Sequence, residues 1–294
     1  MNLGRKNISM IKINNIKLSI QKKLNRRQRT LVITIVAAIV LTSILVGGLL
    51  ISDQRIATNF EQKNLSPSIE HPFGTDWLGR DMFVRTIKGL TLSIGVGTLS
   101  AVISAGIALT LGLLSATMGK WMDRFITWLV DLFLSVPHLI TLILISFVLG
   151  GGMKGVIVGV SLTHWPSLTR IIRAEVMQIR SAEYVQISRK LGRTRKWVAI
   201  HHILPHLIPQ FFVGLMLLFP HAILHEAAIT FLGFGLSPHK PAIGIILSES
   251  MRYLSTGMWW LAFFPGIFLI MIIRGFDILG ENLRLLVDPH NAHN

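Results

Sequence analysis

The sequence predicts an all-α membrane protein with six transmembrane helices. Its 294 residues are 51% hydrophobic and only 15% charged, whereas a soluble domain carries about 25% charged residues. Mean hydropathy is +0.58. Apolar windows of about 20 residues span a bilayer as helices, and the chain contains six of them: 31–51, 91–118, 125–149, 155–171, 207–231 and 258–276.

The first window, LVITIVAAIVLTSILVGGLLI, is uncharged and long enough to span. It lacks a small-residue cleavage signature, which favours a retained anchor over a signal peptide. The fourth window is the shortest and contains Pro166. A proline inside a span is tolerated because neighbouring helices satisfy the freed backbone groups.

Positive charge predicts the orientation of these spans. Residues 1–30 hold nine Lys or Arg and no acidic residue. With the N-terminus inside, 119–124, 170–206 and the C-terminal tail also lie inside, which, with Arg274 at the inner end of the last span, places 21 of the 29 Lys and Arg there. This bias is typical of cytoplasmic loops, so we expect a multi-pass protein of the cell (plasma or inner) membrane with both termini cytoplasmic. The basic arm then needs only a topological role and attraction to anionic lipid, with no nucleic acid.

This orientation predicts the domain organisation. A basic cytoplasmic arm precedes an anchor, an external segment, a helical core with one large cytoplasmic loop, and a cytoplasmic tail. In that order, the ranges are 1–30, 31–51, 52–90, 91–276 with the loop at 172–206, and 277–294.

The composition and motifs exclude several chemistries. The chain has no cysteine, which excludes disulfides, thiolate metal sites and cysteine nucleophiles. It also lacks the G-x-x-x-x-G-K-[ST] run that cradles nucleotide phosphates. The glycine-rich GGGMKG at 150–155 has different spacing and is interpreted as a tight turn. Any ATP-driven process therefore needs a partner that hydrolyses ATP.

The cytoplasmic loop contains SAEYVQISRKLGRTRKWVAIHHILPH (181–206). Tyr184, Ile187 and Leu191 recur at i, i+3 and i+7 and predict one apolar stripe on a helix. Gly192 suits the end of that helix, because glycine adopts the left-handed C-cap conformation at little cost.

A second short helix is predicted to follow and to end at Leu204-Pro205, where proline breaks it before the next span. The two helices form either a solvated amphipathic loop on the lipid surface or a docking surface for a partner.

This loop is similar to that of inner-membrane permease subunits of ATP-binding-cassette (ABC) importers of the peptide/nickel type. Their loop has the form E-A-A, three residues, G, about nine residues, I-x-L-P. Gly192 and Ile203-Leu204-Pro205 match it, while the triplet is Gln186-Ile187-Ser188. The resemblance implies a type I importer fold whose coupling helices seat in an ATPase cleft. The implied coupling residues are Glu183, Gln186, Ile187, Ser188, Gly192, Leu204 and Pro205.

A second stretch, HPFGTDWLGRDMFVRTIKG (71–89), resembles the H-x-x-G-T-D-x-x-G-R-D pattern of the C-type subunit. FLGFGL at 231–236 and ILGENLRLLVDPH at 278–290 also look like the family's, while Ile243-Gly244 stands where relatives often have Trp-Gly. The implied outer motif is Gly74, Thr75, Asp76, Gly79, Arg80 and Asp81. With Arg85, its charged residues are predicted to pair at i,i+4 on a helix, each pair contributing only tenths of a kcal/mol. The motif either orders the outer face or contacts substrate.

Ionisable residues inside spans are costly and indicate functional sites. His221 and His225 are four apart, so both imidazoles project from one helix face and could bind one metal ion transiently. The candidate translocation path is His221, His225, Glu226 and His164. Simple packing of these histidines is the alternative. Asp131 is expected to pair with a nearby arginine, and His138 is a further ionisable residue within a span.

The resemblance implies a permease subunit that is not an enzyme. It carries no cofactor, because the partner ATPase binds ATP and magnesium. Its partners would be a second homologous permease, two ABC ATPases and an extracytoplasmic solute-binding protein. The predicted cargo is nickel, free or chelated, or another transition metal; the alternative is dipeptides or oligopeptides. Two other classes stay open: a proton-driven secondary transporter with Asp131 or Glu226 as relay, and a membrane enzyme using His221, His225 and Glu226.

Overall fold

A computed structural model describes residues 26–287. Most of the predicted basic arm and the end of the tail lie outside this range. The described chain consists of helices joined by turns and loops, and its extended pairing is limited to an isolated antiparallel bridge between Thr75 and Asp81. Its α-helices are α1 Arg26–Leu50, α2 Met82–Thr117, α3 Lys120–Ser135, α4 His138–Val148, α5 Gly152–Ser181, α6 Glu183–Lys190, α7 Arg195–Val198, α8 Leu204–Phe231, α9 Ile243–Met251 and α10 Trp260–Val287.

Four stretches of the described chain are long and apolar enough to cross a membrane: Gln28–Leu50, Met82–Thr117, Arg195–Phe231 and Trp260–Leu285. Helices α3 and α4 make a fifth if they count as one span. Helix α5, at the place of the fourth predicted window, does not reach that hydropathy. Its second half carries charged residues, among them Arg170, Arg173 and Glu175.

The third predicted span is not one straight helix. Helices α3 and α4 meet at an angle of 95°, and Pro137 is the N-cap of α4. Val136, the residue before it, is extended, with φ −97° and ψ 138°, because a following proline disfavours the helical region. The prediction of a continuous span over 125–149 was therefore wrong. The break places His138 in the first turn of α4.

Helix α2 is the centre of the bundle, and it packs most extensively on α5 and α8. Small residues let neighbouring helices approach it closely. A Cβ at Gly97 would meet Ile223 of α8 at 2.6 Å, and one at Gly112 would meet Ile172 of α5 at 2.7 Å.

Two apolar cores lie on either side of this central helix. One is formed with α4, α5 and α8 and contains Leu142, Val160 and Leu207. The other is formed with α1, α9 and α10 and contains Leu41, Ile246 and Ile272. Next to these cores, polar side chains of α2, α5 and α8 are buried within the protein.

Pro205 does not end the helix. Residues 195–231 form one continuous helical stretch, with a π-helical turn at Ala199–Ile203 and Pro205 in the first turn of α8. A proline inside a helix removes one backbone hydrogen bond and bends the helix without having to end it, and the π-helical turn directly before Leu204 changes the hydrogen-bond register there. The predicted helix end before this span was therefore wrong.

Candidate functional sites: coupling segment, outer motif and histidine cluster

The predicted coupling segment folds as the short helix α6 followed by the start of the continuous helical stretch 195–231. Helix α6 ends at Lys190, and Gly192 follows with φ +84°, as the sequence predicts. The apolar stripe points outward: Tyr184, Ile187 and Leu191 are 42%, 56% and 78% exposed. Exposed apolar side chains at a helix turn are typical of an interaction surface.

Side-chain contacts hold α6 and the start of this stretch together. Ser188 Oγ lies 2.9 Å from His202 Nε2, and the Tyr184 ring packs against His202. Arg193 stacks over Trp197 at 4.5 Å from the ring centroid. Of the triplet Gln186-Ile187-Ser188, only Ser188 thus faces the stretch 195–231, while the Gln186 amide donates to the Ser181 carbonyl.

The outer motif builds a charge network between α2 and α9. Asp76 Oδ2 accepts hydrogen bonds from Arg80 Nε and Arg85 Nη1, both at 2.7 Å. Glu249 of α9 accepts from the same two arginines at 3.2 and 2.9 Å. Arg85 is only 2% exposed and Asp76 3%. Two carboxylates thus compensate two guanidinium groups inside the protein.

The i,i+4 spacing had predicted a helix over the outer motif. The motif is not helical, because α2 begins only at Met82. Asp76 Oδ1 accepts the backbone N–H groups of Leu78 and Arg80, each at 2.9 Å, and so forms a turn. Asp81 caps α2 through the N–H of Val84 at 2.9 Å. The Asp76 bonds offer the backbone an alternative to helix formation, and the Asp81 cap fixes where α2 begins.

Two motif glycines are required by this turn. Gly74 has φ +70° and Gly79 has φ +74°, a conformation that glycine adopts without strain. A Cβ at Gly79 would also overlap the carbonyl of Asn59. Thr75 connects the turn to the preceding loop, since its hydroxyl accepts the N–H of Leu65 at 2.9 Å.

Three histidines from three helices meet inside the bundle. His138 of α4 lies 4.5 Å from both His164 of α5 and His225 of α8, measured between ring centroids, and the latter two lie 4.9 Å apart. One nitrogen of each ring falls within 4.8 Å of the others. Among the described residues this is a group that could hold a metal ion, and it includes no cysteine or carboxylate.

The arrangement changes the predicted histidine pair. His225 joins the group, but the His221 ring is exposed and lies outside it. His221 contributes only its carbonyl, which lies 2.8 Å from His225 Nδ1. Spacing within one helix could not reveal this, because the other two rings come from α4 and α5.

The remaining intramembrane carboxylates have protein partners. Glu226 is fully buried, and Thr230 donates to its Oε1 at 3.0 Å. Asp131 pairs with Arg170 at 2.5 Å, which confirms the expected arginine partner. Sequence reasoning missed Glu249, whose partners lie 164 and 169 residues away; a lone acid in an apolar helix was its only signal.

The long apolar helices and the polar groups buried between them are typical of a polytopic membrane protein. Residues 108–289 match the family of binding-protein-dependent transport system inner membrane components. The chain belongs to this family. It is thus an inner-membrane, non-catalytic permease subunit of an ABC importer, acting with ATPase partners.

Curated relatives cover most of the chain. It is 32% identical to the dipeptide transport system permease protein DppC of Alkalihalophilus pseudofirmus, over 87% of this chain and 86% of that one. It is 34% identical to the oligopeptide transport system permease protein OppC of Bacillus subtilis, over 79% and 76%. These relatives are named peptide permeases, whereas the resemblance had favoured nickel.

The fold is also found in a solved transporter. The MetNI methionine ABC transporter in an inward-facing conformation aligns with a TM-score of 0.59 and 17% identity, over 70% of this chain and 98% of that one. At this identity the similarity supports the ABC importer permease fold alone.

Proposed function

We propose that the chain forms one half of the translocation path of an ATP-driven importer of short peptides. The observation that carries this is its similarity, over most of its length, to relatives named dipeptide and oligopeptide permeases. A second homologous permease would form the other half. Two ABC ATPases and an extracytoplasmic solute-binding protein would complete the complex.

In this proposal the chain crosses the membrane six times, with both termini and the segment 172–206 cytoplasmic. Helix α5 supplies the sixth span despite its lower hydropathy, because its polar residues Thr163, His164 and Thr169 are buried against protein. The segment 52–90, with the outer motif, is external. Its buried network then orders the outer face and does not contact substrate.

Coupling to ATP hydrolysis would pass through helix α6. The exposed Ile187 and Leu191 would insert into the ATPase cleft, and Gly192 would give the turn its shape. Closure of the ATPases would then move α6, and with it the flanking helix α5 and the stretch 195–231, as a rigid body.

Charged substitutions on this surface test the coupling. Ile187→Asp with Leu191→Asp should abolish co-purification of the ATPase and ATP-dependent uptake, because both side chains are exposed and the fold tolerates change there. Ile69→Asp is the matched control, since Ile69 is also fully exposed but lies in the predicted external segment. Normal ATPase association by the double variant would contradict the assignment.

A second candidate cargo is a transition metal such as nickel, free or chelated. The grouping of His138, His164 and His225 favours it. ATP-dependent uptake by the reconstituted complex separates the two cargoes, with a labelled dipeptide tested beside radiolabelled nickel. Peptide uptake without nickel uptake would support the main proposal, and nickel uptake alone would reverse the order. A transporter driven by protons alone would need no ATP in either case.

A further inference from the structure

The histidine cluster (His138, His164 and His225) has the chemistry of a ligand site. Two of its members are held by backbone. His164 Nδ1 lies 2.9 Å from the Val160 carbonyl, and His225 Nδ1 lies 2.8 Å from the His221 carbonyl. A carbonyl only accepts, so in each neutral ring Nδ1 carries the proton. Nε2 then bears the lone pair that a metal ion needs.

This arrangement is the one that metal-binding histidines usually have. The ring nitrogen that does not bind the metal donates to a carbonyl or carboxylate, which fixes the tautomer and the orientation of the ring. In this chain the orienting groups are carbonyls one helical turn earlier. Hence His164 and His225 are pre-oriented by their own helices.

The third ring is the one without a partner. His138 Nε2 is buried and has no hydrogen-bond partner among the described residues. A buried polar atom left unpaired costs about 1–3 kcal/mol. Pro137 bends the chain so that His138 points toward the other two rings. Packing alone would be served better by an apolar side chain at this position.

The distances suit one ion after small adjustments. A metal with nitrogen bonds of about 2.0–2.1 Å needs ligand atoms roughly 3.3 Å apart in a tetrahedral site. His164 Nε2 lies 3.2 Å from His225 Nδ1, a hydrogen bond that binding of the ion would replace, and the three ring centroids lie 4.5–4.9 Å apart. The widest separation in the group is within 4.8 Å, and rotation of the imidazole rings closes it.

We propose that His138, His164 and His225 form a binding site for one divalent transition-metal ion, each giving one imidazole nitrogen. Neutral imidazole suits nickel, copper, zinc and iron, whereas magnesium and calcium prefer oxygen ligands. Three protein ligands leave a position for water or for a donor atom of the cargo. The described group contains no carboxylate to compensate the charge of the ion, so binding is reversible, as a translocation path requires.

The site's place on the path rests on the proposed function, but binding of the ion does not. Metal binding is therefore measured apart from transport, on the complete complex in lipid nanodiscs. The probe is nickel(II), titrated by equilibrium dialysis. His290 and His293, in the tail, are replaced by asparagine throughout, so that adventitious binding there does not count.

The expected result is one nickel ion bound reversibly per chain. His164→Ala and His138→Leu should weaken binding at least about tenfold, while His221→Ala, one turn from His225 on the same helix, should leave it unchanged. His164→Gln is a second variant that keeps much of the side-chain volume. Equal binding by the wild type and all cluster variants would overturn the site.

Cobalt(II) gives a second readout that does not depend on affinity. A three-nitrogen site should produce visible absorption bands, and His138→Leu should remove them while His221→Ala keeps them. Bands that survive His138→Leu would overturn the role of His138. A wild-type complex that binds no metal but takes up dipeptide would refute this inference alone, whereas a wild-type complex without ATP-dependent dipeptide uptake would refute the proposed function.

Discussion

Two buried polar groups of this protein differ in how their charges and lone pairs are satisfied. In the outer network, Asp76 and Glu249 accept from Arg80 and Arg85, so two charges of each sign cancel. Only Arg85 Nε lacks a hydrogen bond there, among the described residues. In the histidine cluster, His164 Nε2 meets His225 Nδ1 at 3.2 Å, but His138 Nε2 is left without a partner among the described residues. A buried group whose charges and lone pairs are all paired needs no ligand. A buried group with an unpaired nitrogen indicates a ligand.

The comparison predicts its largest effect at Arg85. Arg85→Met should destabilise the chain by about 3–5 kcal/mol, because it leaves Asp76 and Glu249 with an uncompensated buried charge. SDS-induced unfolding in mixed micelles measures the change. Lys88→Ala is the control: its partner Asp53 is 94% exposed on the side chain, so the loss should stay below about 1 kcal/mol. Equal losses at both positions would refute the structural role of the network.

A smaller effect is expected at Gly79, whose turn presents the Arg80 N–H to Asp76. Gly79→Ala should cost about 1–3 kcal/mol, because alanine is strained at positive φ and its Cβ meets the Asn59 carbonyl. Gly95→Ala is the helical control, since a Cβ there meets nothing within 4 Å. It should stabilise α2 by up to about 1 kcal/mol. A neutral Gly79→Ala would show that the turn does not organise the network.

The smallest effect on stability is expected in the histidine cluster. His138→Leu removes an unpaired buried nitrogen and keeps most of the volume. The desolvation cost that is relieved offsets the ring contacts that are lost, so the free energy of unfolding in metal-free buffer should change by less than about 1 kcal/mol. The same unfolding titration without and with nickel measures it, and nickel should stabilise only the wild type. A loss as large as that of Arg85→Met would mean that His138 is a packing residue.

Local patterns in the sequence predicted those features that depend on neighbouring residues. The left-handed turn at Gly192, the apolar stripe of α6 and most membrane helices follow from spacing and composition. The bend at Pro137 was missed, because an apolar window does not distinguish one helix from two. Glu249 and the meeting of His138 with His164 and His225 depend on how distant helices pack. No local pattern encodes such packing.

X-ray absorption at the nickel edge tests the central claim most directly, using the nickel-loaded complex with the tail histidines replaced. The account predicts three imidazole nitrogens per ion in the wild type, at metal–nitrogen distances near 2 Å. In His138→Leu, fewer imidazoles and more oxygen ligands should be seen. A wild-type spectrum with oxygen ligands only, or one unchanged in His138→Leu, would contradict the claim that this cluster is a metal site.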